Sequence, residues 1–97
     1  MPILDDTKLS LRLTGSDFDI EVQDLIEAAK LDLKLSGVLE AKIIDTDPLI
    51  KRAIILYCKA HFGYDNPDAD RFMESYNMLK THLTLSSDYT EGSIYEI

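Results

Sequence analysis

Residues 47–64 read DPLIKRAIILYCKAHFGY. Proline at the first helical position loses nothing, because its missing N–H would have no intrahelical partner there. Asp47 before it can accept from the next free amides as an N-cap. Ile50, Ala53, Ile54, Tyr57 and Cys58 then recur at spacings of three and four, which predicts a helix from Pro48 to about Phe62, ended by Gly63. Leu49, Ile55 and Leu56 widen the apolar surface beyond one stripe. That breadth predicts a central helix, or one whose outer face is covered by a partner. Leu49, Ile55 and Leu56 are therefore candidate interface residues.

Asn66-Pro67 repeats the punctuation and predicts a further helix starting at Pro67. Ala69, Phe72, Met73, Tyr76, Leu79 and Leu83 form its stripe, with Lys80 at one charged edge, and the pattern fades by Leu85-Ser86-Ser87. Upstream, Phe18, Val22, Leu25, Ile26, Ala29 and Leu33 share one face of a helix expected from about Phe18 to Ser36. Ser16 or Asp17 can cap it, and Asp17, Asp19 and Glu21 load its start with negative charge. Gly37 is placed as a left-handed stop, with Val38 folding back. Val38 to Asp47 is a connector, either irregular or holding a short extended piece.

Asp5 to Leu13 is ambiguous: Leu9, Leu11 and Leu13 alternate as a strand would, yet a short helix is the preferred reading. The chain is thus expected to be all-α, a small bundle of three to four helices with a flexible or extended C-terminal tail. The helical domain would span residues 1–86 and an acidic tail residues 87–97. Tyr89, Ile94, Tyr95 and Ile97 in that tail could add a strand edge to a partner and are further candidate interface residues. Alone in solution, a frayed terminus is the simpler expectation.

Ninety-seven residues suit one core rather than two. Eighteen acidic against ten basic side chains give a formal net charge of −8, which argues against gripping nucleic acid through its phosphates. Cys58 is the sole cysteine and is flanked by apolar residues, so a buried, inert thiol in a soluble protein of a reducing compartment is expected. There is no basic region followed by an apolar stretch at the N-terminus and no run long enough for a bilayer, so no secretory signal or membrane span is read.

Little in the chain points to catalysis. His61 and His82 are isolated, and Gly63 separates His61 from Asp65. Asp65, Asp68 and Asp70 do not match a calcium loop, which would need oxygen donors where Pro67 and Ala69 stand. Glycine-rich phosphate loops, nucleophile elbows and CxxC pairs are missing. No catalytic residue, metal ligand or cofactor is assigned, and an enzyme is not expected.

The order of Phe18-Asp-Ile-Glu-Val-Gln-Asp-Leu-Ile-Glu-Ala-Ala-Lys30, a connector, and then Asp47 to Tyr64 resembles the head–tail connector (adaptor, or head-completion) proteins of tailed bacteriophages. An acidic start, a Leu-Ile-x-Ala-Ala helix, a proline-led helix ending in aromatics and a further helix carry the likeness across about residues 7 to 85. The resemblance implies an all-α protomer assembled as a ring of about a dozen copies in the virion, made in the bacterial host cytoplasm. Such a ring would lie between the portal and the downstream tail or stopper protein, lengthening the channel through which DNA passes without specific binding. Two other classes fit the residues alone: a small cytoplasmic helical regulatory module binding a single protein partner, and a DNA-binding packaging protein. The acidic balance weighs against the last.

Overall fold

A computed structural model describes residues 3–63 and 66–90. Among them the elements are α1 (Ile3–Ser10), α2 (Asp19–Ser36), a single 3₁₀ turn (Glu40–Lys42), α3 (Pro48–His61) and α4 (Ala69–Leu85), with no strand. The all-α expectation therefore holds. Ile94, Tyr95 and Ile97 lie outside the described residues.

α3 forms as its sequence dictates. One oxygen of Asp47 accepts from the amides of Leu49 at 2.9 Å and Ile50 at 3.2 Å, meeting two donors that the first turn leaves without helical partners. The helix buries Ile50, Ala53, Ile54, Leu56 and Cys58. Its wide apolar surface follows from position, for it packs against α1, α2 and α4. α2 and α4 both run antiparallel to it, with Phe18 against Phe62 at one end and Tyr76 against Tyr57 further along. The seven-residue connection between α3 and α4 favours this arrangement for that pair.

α2 buries Val22, Ile26, Ala29 and Leu33, four members of the expected stripe. It stops as the glycine predicts. Gly37 takes φ +121°, its N–H donates to Lys34 O at 3.1 Å, and the Val38 N–H donates to Leu33 O at 3.0 Å. This is a Schellman ending, and it turns Val38 into the core. The start differs from expectation, because neither Ser16 nor Asp17 caps by side chain. Phe18 occupies the cap position, and the turn ahead of it closes through the Ser16 carbonyl, which accepts from Asp19 N at 3.2 Å.

α1 is a helix, which resolves the ambiguous first segment. It buries Ile3 and Thr7, four apart, and leaves Leu9 at 74% exposure, so the alternating leucines are not a strand face. Ion pairs join it to both neighbours, Lys8 with Asp19 at 2.6 Å and Asp6 with Lys51 at 3.0 Å.

α4 begins at Ala69, two residues later than Pro67 suggests. The cause is how Asn66 is used. Its side-chain oxygen accepts from Asp68 N at 3.1 Å and its carbonyl from Ala69 N at 3.1 Å, making a turn before the helix. Its side-chain amide donates to Lys59 O at 2.6 Å. That carbonyl lies in the last turn of α3, where acceptors lack helical donors. Asn66 thus serves both helices, closing α3 with its side-chain amide and forming the turn ahead of α4 with its two oxygens.

Candidate functional site

The candidate interface residues separate once placed. Leu49 is 46% exposed at the start of α3, whereas Ile55 is half-buried. Leu56 is 8% exposed and belongs to the core, so it offers no outward surface in this fold. Its breadth on the sequence reflects the three helices packed around α3.

Tyr89 lies in a turn after α4 that folds back on the body. Its hydroxyl donates to the Asp47 carboxylate, at 3.0 Å to Oδ2 and 3.2 Å to Oδ1, and its carbonyl accepts from Leu39 N at 2.9 Å. Burial and then the hydrogen bond to Asp47 push the phenol pKa up. One carboxylate therefore brings Leu49 and Tyr89 to the same end of the bundle. Exposed Ile44 belongs there as well, since its carbonyl accepts from Asp47 N at 3.1 Å.

At the opposite end Phe18 and Phe62 meet edge to face with ring centroids 5.5 Å apart. Beside them, Glu21, His61 and Gly63 help line an open cleft. A second cleft separates the end of α1 from the last turns of α3 and is lined by Leu9, Ser10, Arg12, Leu13, Thr14 and Lys59.

Between the ends, Asp32 of α2 accepts from the buried Tyr76 hydroxyl and from Lys80 Nζ at 2.9 Å, both on α4. Burial would raise the Asp32 carboxyl, but the Tyr76 hydrogen bond and the Lys80 ammonium outweigh it and hold its pKa below the usual carboxylate value. Tyr57 packs against both Tyr76 and His61. This cluster joins α2 to α4. Cys58 is fully buried, and burial pushes its thiol up to about 12. Among the described residues no three His, Cys, Asp or Glu side chains gather to hold a metal ion, and no helix is long and apolar enough to cross a membrane.

Charge is distributed unevenly. Lys8, Lys30, Lys34, Lys51, Arg71 and Lys80 are each within an ion pair. Arg12, Lys42, Arg52 and Lys59 have no carboxylate partner among the described residues, and Arg12 and Lys59 share the cleft beside α1. The sequence reading overlooks Arg12 and Asp32. The Tyr76 and Lys80 spacing of four was a usable signal for the second, since it sets both on one face of α4 ready for an acid.

A family model described as phage connector protein matches residues 3–90. No curated protein matches the chain, and no solved structure does.

Proposed function

This chain belongs to the phage connector protein family, and we propose that it acts without catalysis, as a ring between the portal and the tail or stopper protein. The observation that carries this reading is the extent of the family match, which takes in all four helices and the turn bearing Tyr89. In the proposed assembly about a dozen copies encircle the axis and lengthen the DNA exit channel. A net charge of −8 on each copy suits that place, because an acidic wall repels phosphates and lets the duplex slide. Leu49, Ile55 and Tyr89 are the described residues we assign to contacts between proteins, and the tail bearing Ile94, Tyr95 and Ile97 joins a neighbour.

The test is electron microscopy of lysates after deletion of the gene from its phage or prophage. Tailless heads beside unjoined tails, restored to whole particles by a plasmid copy, are the expected outcome. Normal tailed particles would rule out an essential connector. A one-to-one complex with a cytoplasmic protein would then identify a regulatory module instead.

A further inference from the structure

Arg12 is the one non-glycine residue with a left-handed backbone among the described residues, at φ +63°. It closes α1 as Gly37 closes α2. The Arg12 N–H donates to Leu9 O at 3.1 Å and the Leu13 N–H to Lys8 O at 2.9 Å, the same Schellman pair of bonds. Glycine adopts this conformation without steric cost, and arginine does not. The backbone at this position serves the fold, for the two bonds close α1 and set Leu13 against the core, but the side chain is exposed and no carboxylate among the described residues receives the guanidinium. The exposed guanidinium is thus available for a contact outside the folded chain.

Lys59 stands across the cleft from Arg12. Its ammonium lies 4.9 Å from the Phe72 ring centroid and, like the guanidinium, has no carboxylate partner among the described residues. Exposed Leu9 and half-buried Leu13 supply apolar surface in the same cleft. Its volume of about 610 Å³ suits a peptide segment better than a lone ion. In a chain of net charge −8, this is a cationic exception flanked by leucines.

We infer that this cleft docks the acidic segment Glu91 to Ile97 of a second copy. That segment reads EGSIYEI and carries the complementary set, two carboxylates with Ile94, Tyr95 and Ile97. Its own cleft is badly placed for it. Tyr89 is fixed on Asp47 at the start of α3, whereas Lys59 is about 18 Å further along at 1.5 Å per residue. Two residues beyond Tyr89 the chain can reach only about 7 Å, too short to bring the Glu91 carboxylate to Lys59 of its own molecule, so both carboxylates of the segment cannot engage that cleft at once. A second copy has no such limit. The contact joins the tail end of one copy to the α1 end of the next, a heterologous arrangement that repeats. It rests on the multi-copy reading only in requiring more than one copy.

The experiment uses full-length chain and a labelled synthetic peptide of residues 90–97, followed by fluorescence anisotropy, with sedimentation recording self-association. Saturable binding is expected, weakened about tenfold by Arg12→Gly with Lys59→Gln and equally by Glu91→Gln with Glu96→Gln in the peptide. Self-association should weaken by the same variants. Glycine suits the backbone at position 12, so a retained melting transition excludes unfolding as the cause. A peptide bearing Glu91→Lys and Glu96→Lys should bind a chain bearing Arg12→Glu and Lys59→Glu. Peptide binding and self-association both unaffected by Arg12→Gly with Lys59→Gln would overturn the inference. So would a monomeric, folded chain that ignores the peptide. Rings seen in particles without this dependence would remove the cleft assignment alone, whereas binding without rings would remove the connector ring and leave the cleft.

Discussion

Tyr89 donates its hydroxyl to the carboxylate of Asp47, 42 residues earlier, and that same carboxylate caps α3 through the amides of Leu49 and Ile50. Three donors converge on one side chain. The start of the central helix and the turn after the last helix are thereby fixed together. Leu39 completes the closure by donating its N–H to the Tyr89 carbonyl at 2.9 Å, so the connector before α3 is held by the same turn.

Tyr89→Phe should cost about 1 kcal/mol, the net worth of one hydrogen bond. Asp47→Ala should cost more, about 1–2 kcal/mol, because the cap is lost as well. Amide hydrogen exchange provides the local reading. Tyr89→Phe should speed exchange at Leu39 while Ile54, in the core, changes little. Unchanged protection at Leu39 would show that the phenol does not hold this turn.

Asp32 makes stability depend on acidity. Its folded pKa is lowered, so its contribution is fully present above the unfolded value of about 3.9 and is lost as pH falls through the lowered folded value. Asp32→Asn should cost about 1–2 kcal/mol at pH 7 by weakening a charge-assisted pair of bonds at a partly exposed site. Urea unfolding at pH 7 and pH 3 should show the gap between the two proteins narrowing in acid. A gap of constant size would mean that Asp32 is not the group responsible.

Gly37→Ala should destabilise by about 1–2 kcal/mol, the cost of a Cβ in the left-handed region. Space is not the cause, because a Cβ there would meet only the Thr84 Cγ2 methyl at 4.0 Å. Thr84→Ala should therefore fail to rescue the thermal midpoint.

Arg12→Gly should act in the opposite direction and stabilise by about 1 kcal/mol, since it relieves the same strain at the end of α1. A higher melting temperature is the expected observation. A lower one would show that the arginine side chain supports the fold.

Cys58 should resist thiol reagents in the native protein at pH 8. Its thiol is buried and its pKa pushed up to about 12, leaving little thiolate. Urea should expose it to full reaction. Rapid modification without denaturant would contradict the placement of α3.

How much of this was legible depends on how local each cause is. Asp47-Pro48 predicts its helix because the capping oxygen and the capped amides lie within three residues of one another. Asn66-Pro67 makes the same bond to the amide two residues on, yet its helix begins later, at Ala69, and its side-chain amide is drawn back to Lys59 O, an acceptor that exists only once α3 has ended. Gly37 was readable because only glycine marks a left-handed position in composition. Arg12 occupies the same conformation and leaves no such mark. Leu56 left two readings open, a central helix or a partner-covered face, because helical periodicity records one face and cannot count the neighbours around it; its burial follows the first. The pairing of Tyr89 with Asp47 joins distant parts of the chain and has no local signature at all.

The internal neutralisation of Lys8, Lys30, Lys34, Lys51, Arg71 and Lys80 has a further consequence. With these cations held inside the molecule, copies approach one another as like-charged bodies of −8, against which the contact proposed at the Arg12–Lys59 cleft would have to attract. Salt acts on these two forces with opposite benefit. Moderate ionic strength, with a Debye length of about 8 Å, mutes repulsion between whole molecules before it erodes a contact at hydrogen-bond range. Near 1 M, where that length is about 3 Å, the contact is weakened too. Affinity between copies should therefore climb from low salt, pass through an optimum, and decline.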